Sequence, residues 1–122
     1  NNNHQIFQDP ISSCLDKIST LEKDIHLITD FKDIYVRISL IIRNFMENHY
    51  YVKALEMTTK EINDNKSMID LNEKNFTELL TILKFSDMVK YAKKKKDLDF
   101  IKKDLVIIRN ILKSIKESNY IS

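Results

Sequence analysis

The chain of 122 residues contains no glycine, one proline and one cysteine. Glycine is the usual residue where backbone needs positive φ: hairpin turns, bulges, phosphate loops and helix C-caps. Without it a β-rich fold is hard to build. A P-loop and a dinucleotide fingerprint are excluded, because both place glycine where backbone approaches phosphate. The lone Cys14 excludes an internal disulfide and fits a reducing compartment. The longest apolar runs, such as Leu40-Ile41-Ile42 and Leu105 to Ile108, are far too short to span a bilayer. No signal peptide is visible.

What is present is a balance of 43% hydrophobic and 31% charged residues with a net charge of +2. That is the composition of a globular domain, and the overall charge names no partner. The size suits one domain, predicted over residues 9–122 after a frayed polar segment, Asn1 to Gln8.

Periodicity predicts an all-α fold, a compact bundle of five to six mostly antiparallel helices joined by short connections. Asp9-Pro10 reads as an N-cap followed by proline at the first helical position. Ile11, Cys14, Leu15, Ile18, Leu21, Ile25 and Ile28 then make an amphipathic first helix of about five turns. Asp30 caps a second helix, striped by Phe31, Ile34, Ile38, Ile41, Ile42 and Phe45. Val36 and Leu40 widen that stripe, which predicts burial on two sides. Asn48 is the expected left-handed terminator. A third helix is expected from Tyr50 to Asp64, with Val52, Ala54, Leu55 and Ile62 inward, and a brief fourth from Ser67 to Leu71. Asn75 and Glu78 read as a capping box for a fifth helix through Val89. Asp97 caps the sixth, where Leu98, Ile101, Leu105, Ile108, Leu112 and Ile115 form one stripe and Phe100, Ile107 and Ile111 a second flank. Two flanks suit two neighbours, or one neighbour and a foreign chain.

Catalytic and metal chemistry finds little footing. His4, His26 and His49 form no His-Glu-x-x-His motif, and no second cysteine exists for a zinc site. His26, beside the first stripe, is expected to be a partly buried structural residue, and Cys14, on the stripe, a buried thiol. Acid pairs such as Asp97 with Asp99 suit caps and solvated faces. No cofactor, no metal and no enzymatic activity are expected.

The cations are more suggestive. Lys93, Lys94, Lys95 and Lys96, then Lys102, Lys103, Arg109 and Lys113, lie on or near the last helix. They read either as a solvated face or as a dock for an acidic polymer: nucleic acid, anionic membrane or the acidic microtubule surface. Nucleic acid is disfavoured, since a reader of it interleaves exposed aromatics with its cations and Phe100 is committed to packing. Tyr50-Tyr51 is the other feature of note. Adjacent helical residues point about 100° apart, so one of the two is exposed. Met46 beside them adds a side chain suited to adaptable interfaces.

From Phe31 onward the order of features resembles the conserved C-terminal domain of the katanin regulatory subunit, the WD-repeat partner of a microtubule-severing ATPase. The segment Arg43 to Asn72 carries most of it: Arg43 three positions before Met46, then Ile62-Asn63-Asp64, Ser67 and Asp70-Leu71, followed by two longer helices. The resemblance implies a non-catalytic module preceded in the whole protein by a β-propeller. It implies a cytoplasmic, cytoskeletal location and a hetero-oligomer with the N-terminal domain of the catalytic AAA ATPase subunit. Microtubule (tubulin) binding is implied as well, with no membrane partner. On that basis Met46, Tyr50, Tyr51, Phe100, Ile107 and Ile111 are the expected partner-helix surface, and the eight cations the expected microtubule contact. The alternatives are an unrelated interaction or adhesin bundle and a basic nucleic-acid-binding domain.

Overall fold

Asp9 starts the fold as the sequence requires. In the computed structural model, which describes residues 8–121, its carboxylate accepts the Ser12 backbone N–H and the Ser12 hydroxyl, both at 2.9 Å. Pro10 occupies the first helical position, where its missing N–H costs nothing. Of the expected frayed segment, only Gln8 lies within the described residues. Helix α1 runs Pro10–Asp24 and buries Ile11, Cys14, Ile18 and Leu21. It stops a turn short of expectation. Ile25 to Leu27 form a turn instead, closed by the Leu27 N–H on the Asp24 carbonyl at 2.8 Å.

Helix α2 runs Phe31–Tyr50, with Asp30 accepting the Lys32 N–H at 3.0 Å. It is the central element, packing against α1 on one side and against the helix Glu73–Val89 on the other. The expected terminator, Asn48, lies inside the helix. Tyr51 ends it, at φ 60°, with its N–H on the Glu47 carbonyl at 3.1 Å. The expected burial on two sides fails at Val36 and Leu40, both of which are exposed.

The segment after Tyr51 departs most from expectation. The predicted third helix is broken into a 3₁₀ turn, Ala54–Glu56, and a short α3, Thr59–Asp64. The physical reason is local. Tyr51 turns the chain left-handed, and Thr58 then takes an extended conformation as the cap of α3, with Glu61 completing a reciprocal capping box. Leu55, expected inward, is exposed, and its N–H goes to the Glu47 carboxylate at 3.1 Å. The predicted helix from Ser67 is a single 3₁₀ turn, Lys66–Met68. Helix α4, Glu73–Val89, is capped by Asn72 rather than Asn75. Asn75 instead supplies the N–H that the Asn72 side chain accepts, at 2.8 Å.

Helix α5 spans Leu98–Ile121, with the Asp97 carboxylate on the Phe100 N–H at 3.1 Å. The chain is an all-α bundle of five helices, with no strand among the described residues. Its core is one contiguous apolar cluster from all of them, each large side chain worth about 1.5–3 kcal/mol on burial. Four rings from α2, α4 and α5 meet at one end: Phe31, Tyr35, Phe85 and Phe100. Phe85 lies 4.7 Å from Phe100 and 4.8 Å from Tyr35 between centroids. Edge-on and tilted geometries of this kind add to the gain from burial.

Candidate interaction surfaces

The basic run Lys93 to Lys96 forms the connection between α4 and α5, and its four lysines are not equivalent. Lys93, Lys94 and Lys95 are exposed. Lys96 is half-buried, and its ammonium donates to the carbonyls of Ile25 (3.2 Å) and Ile28 (3.1 Å). It thereby satisfies backbone acceptors left over where α1 ends. Arg109 is likewise drawn into the fold. It donates to the Glu22 carboxylate at 2.6 Å and the Ser19 hydroxyl at 3.1 Å, tying α5 to α1. These two cations are therefore structural, which corrects their assignment to an open basic face. Lys102 and Lys113 are exposed on α5. Lys103 sits 4.8 Å above the Phe100 ring and Lys94 sits 5.7 Å above Phe85, so the aromatic end carries cations on its outside.

The expected partner-helix residues also divide. Met46 and Ile111 are core side chains and cannot meet a partner, which corrects their assignment. Phe100 is half-buried in the aromatic cluster. Tyr50 is half-buried against Phe45, with its hydroxyl 3.4 Å from the Asp70 carbonyl, and burial pushes its phenol up to about 12. Tyr51 is 87% exposed. Ile107, partly buried, lines a groove of about 280 Å³ between α4 and α5 together with Ile82, Phe85 and Phe100. Asp104 lies in that groove, buried, and accepts the Tyr35 hydroxyl at 2.6 Å. Burial pushes the Asp104 carboxyl up, while the Tyr35 hydrogen bond and the Lys103 charge pull it down. The sequence held a signal for this residue: Asp104 falls on the inward stripe between Ile101, Leu105 and Ile108.

A second groove, of about 470 Å³, lies between α2, α3 and α4 and was not anticipated. Val36, Leu40 and Arg43 recur along α2 at four- and three-residue steps, so one helix face lines it. Arg43 donates to the Ser39 hydroxyl one turn back and to the Thr59 hydroxyl at 3.1 Å. The Thr59 hydroxyl, buried, in turn donates a hydrogen bond to the Asp87 carboxylate at 2.6 Å. Burial lowers the Arg43 pKa and the Asp87 charge opposes that. Arg37 and Arg109 each hold a carboxylate directly, at 3.0 Å and 2.6 Å. Among the described residues, Arg43 has none within ion-pair distance.

The reactive residues are quiet. Cys14 is buried, and burial pushes its thiol up to about 12. His49 stacks on Phe45 with centroids 5.0 Å apart, and burial lowers its pKa. His26 is exposed, not partly buried as its place beside the first stripe suggests. Among the described residues no group of three or more potential ligands is placed to hold a metal ion, and no helix is long and apolar enough to cross a membrane.

None of the known protein families, curated proteins or solved structures compared with this chain matches it.

Proposed function

We propose that this chain is a non-catalytic interaction domain of the kind its Arg43 to Asn72 segment resembles, the C-terminal domain of a katanin regulatory subunit. In this proposal the bundle pairs with the N-terminal domain of a catalytic AAA ATPase and helps the complex hold microtubules. The observation that carries the proposal is the set of cations the fold leaves outside. With Lys96 and Arg109 taken inward, Lys93, Lys94, Lys95 and Lys102 are exposed on the α4–α5 connection and the first turns of α5. Such a cluster raises the local concentration of an acidic polymer even when net charge is small. The half-buried Ile107 and Phe100 beside it offer the apolar strip for a partner helix.

Co-sedimentation with polymerised tubulin tests the first half. Changing Lys93, Lys94 and Lys95 together to glutamate should abolish binding, and binding by the parent should weaken as salt is raised. Unchanged sedimentation of the triple variant rejects it. Co-purification with the N-terminal domain of a katanin-type ATPase tests the second half. There Ile107→Lys should release the partner while leaving the helical signal of the domain intact.

A further inference from the structure

The α2–α3–α4 groove contains a half-buried guanidinium, Arg43, that no carboxylate among the described residues pairs with directly. Two of its five N–H donors go to Ser39 and Thr59, both neutral. The carboxylate of Asp87 reaches it only through the Thr59 hydroxyl. Lys90, exposed at the rim, adds a second cation, so the groove is left one positive charge in excess of Asp87. Around Arg43 the wall is apolar and open: Leu40 is 49% exposed, Leu55 42% and Tyr91 90%. A cation removed from water is stabilised by a carboxylate that can form a charge-assisted, two-pronged pair with it. Bare apolar surface around that cation selects a carboxylate carried among apolar groups.

We propose that this groove binds an acidic side chain on an amphipathic segment of a partner protein, with the carboxylate on Arg43 and the flanking apolar side chains over Leu40, Leu55 and Tyr91. The complementarity is of charge and of hydrophobicity together. A segment carrying lysine there would meet Arg43 and Lys90, and a purely polar one would leave the apolar wall wet. This surface lies on the α2 side of α4 and involves none of Lys93, Lys94, Lys95 and Lys102. It stands independently of the katanin proposal, and the following test needs neither tubulin nor an ATPase.

Hexanoate and hexylammonium, equal in length and opposite in charge, are the probes. Each is titrated into the ¹⁵N-labelled chain and followed by amide and arginine side-chain resonances. Hexanoate should shift Leu40, Leu55, Thr59 and the Arg43 Nε–H saturably, and hexylammonium should not. Arg43→Gln should weaken hexanoate by about tenfold or more. Leu40→Glu changes an exposed residue three positions before Arg43 on the same helix face. It should supply the missing carboxylate from within and abolish the hexanoate response, which keeps the test decisive even if Arg43→Gln fails to fold. Equal response to both probes, a response outside the groove, or a Leu40→Glu protein that binds hexanoate like the parent overturns the proposal. Self-association that Leu40→Glu abolishes would put a second copy of the chain in the groove and overturn it too.

Discussion

Tyr35 and Asp104, 69 positions apart, meet inside the bundle with the phenol donating to the carboxylate at 2.6 Å. Tyr35 is fully buried and Asp104 is 5% exposed. The pair joins α2 to α5 next to the aromatic cluster, and it places an ionisable acid where water is scarce. A buried charge persists in a fold only when its lone pairs are met, and the phenol meets one here.

That burial fixes a pH dependence. The Asp104 carboxyl is raised above its usual 3.8. A carboxyl raised in the fold binds its proton more tightly there than in the unfolded chain. Its contribution to stability is therefore greatest below the unfolded value and is lost as pH rises through the folded one. The unfolding free energy of the parent minus that of Asp104→Asn should fall as pH rises from 3.8 and then level. Tyr35→Phe removes the hydrogen bond that lowers this carboxyl. It should extend the sloping window upward and cost about 1–3 kcal/mol at neutral pH. Urea denaturation across pH 3 to 8 measures both. A flat difference, or one that rises with pH, would refute the assignment.

Lys96 should behave unlike its three neighbours. Lys96→Met keeps the aliphatic stem but removes the donor to Ile25 and Ile28, and should destabilise by about 1–2 kcal/mol, since bonds from charged donors are the stronger ones and this one is only half-shielded. Lys93→Met, Lys94→Met and Lys95→Met should each stay within about 0.5 kcal/mol. Equal effects across the four would place Lys96 in solvent.

At Tyr51 the backbone stands at φ 60°. A non-glycine residue there costs about 1–2 kcal/mol, part of which glycine gives back through the greater freedom of the unfolded chain. Tyr51→Gly should stabilise the domain by about 0.5–1 kcal/mol, because the side chain is almost wholly exposed and its loss removes no packing. A lower denaturation midpoint would show that the ring holds something the fold needs.

Cys14 should resist thiol reagents in the native protein at pH 8. Its thiolate is suppressed and its sulfur is closed over by α1 and its neighbours. Rapid single-site labelling in denaturant, and slow labelling without it, is the expected pair of results.

The long helices were legible because their stripes repeat over four or more turns, and α1, α2 and α5 also open on acidic caps in plain view, Asp9, Asp30 and Asp97, whereas the cap of α4 is Asn72 in place of the expected Asn75. The stretch from Tyr51 to Asn72 was not. Its elements are one or two turns long, too short for periodicity to register, and their bounds depend on tertiary facts such as the Glu47 carboxylate reaching Leu55. Stripe width misled in both directions. Ile111 lay on the flank of a stripe and Met46 beside the Tyr50-Tyr51 patch, and both proved to be core, while Val36 and Leu40 widened a stripe and proved to be surface. The Arg43 groove was hidden for a related reason. Its partners Thr59 and Asp87 stand 16 and 44 positions further along the chain and carry no local signature together.

The latch made by Lys96 gives the basic loop an unequal chemistry that its letters conceal. Acetylation of any of the first three amines would erase a charge and leave the architecture alone. On the fourth it would replace an ammonium donor with a neutral amide and pry the start of α5 from the end of α1. One homopolymeric stretch thus holds three amines whose modification changes surface charge alone and one whose modification breaks a tie between the α4–α5 connection and the end of α1.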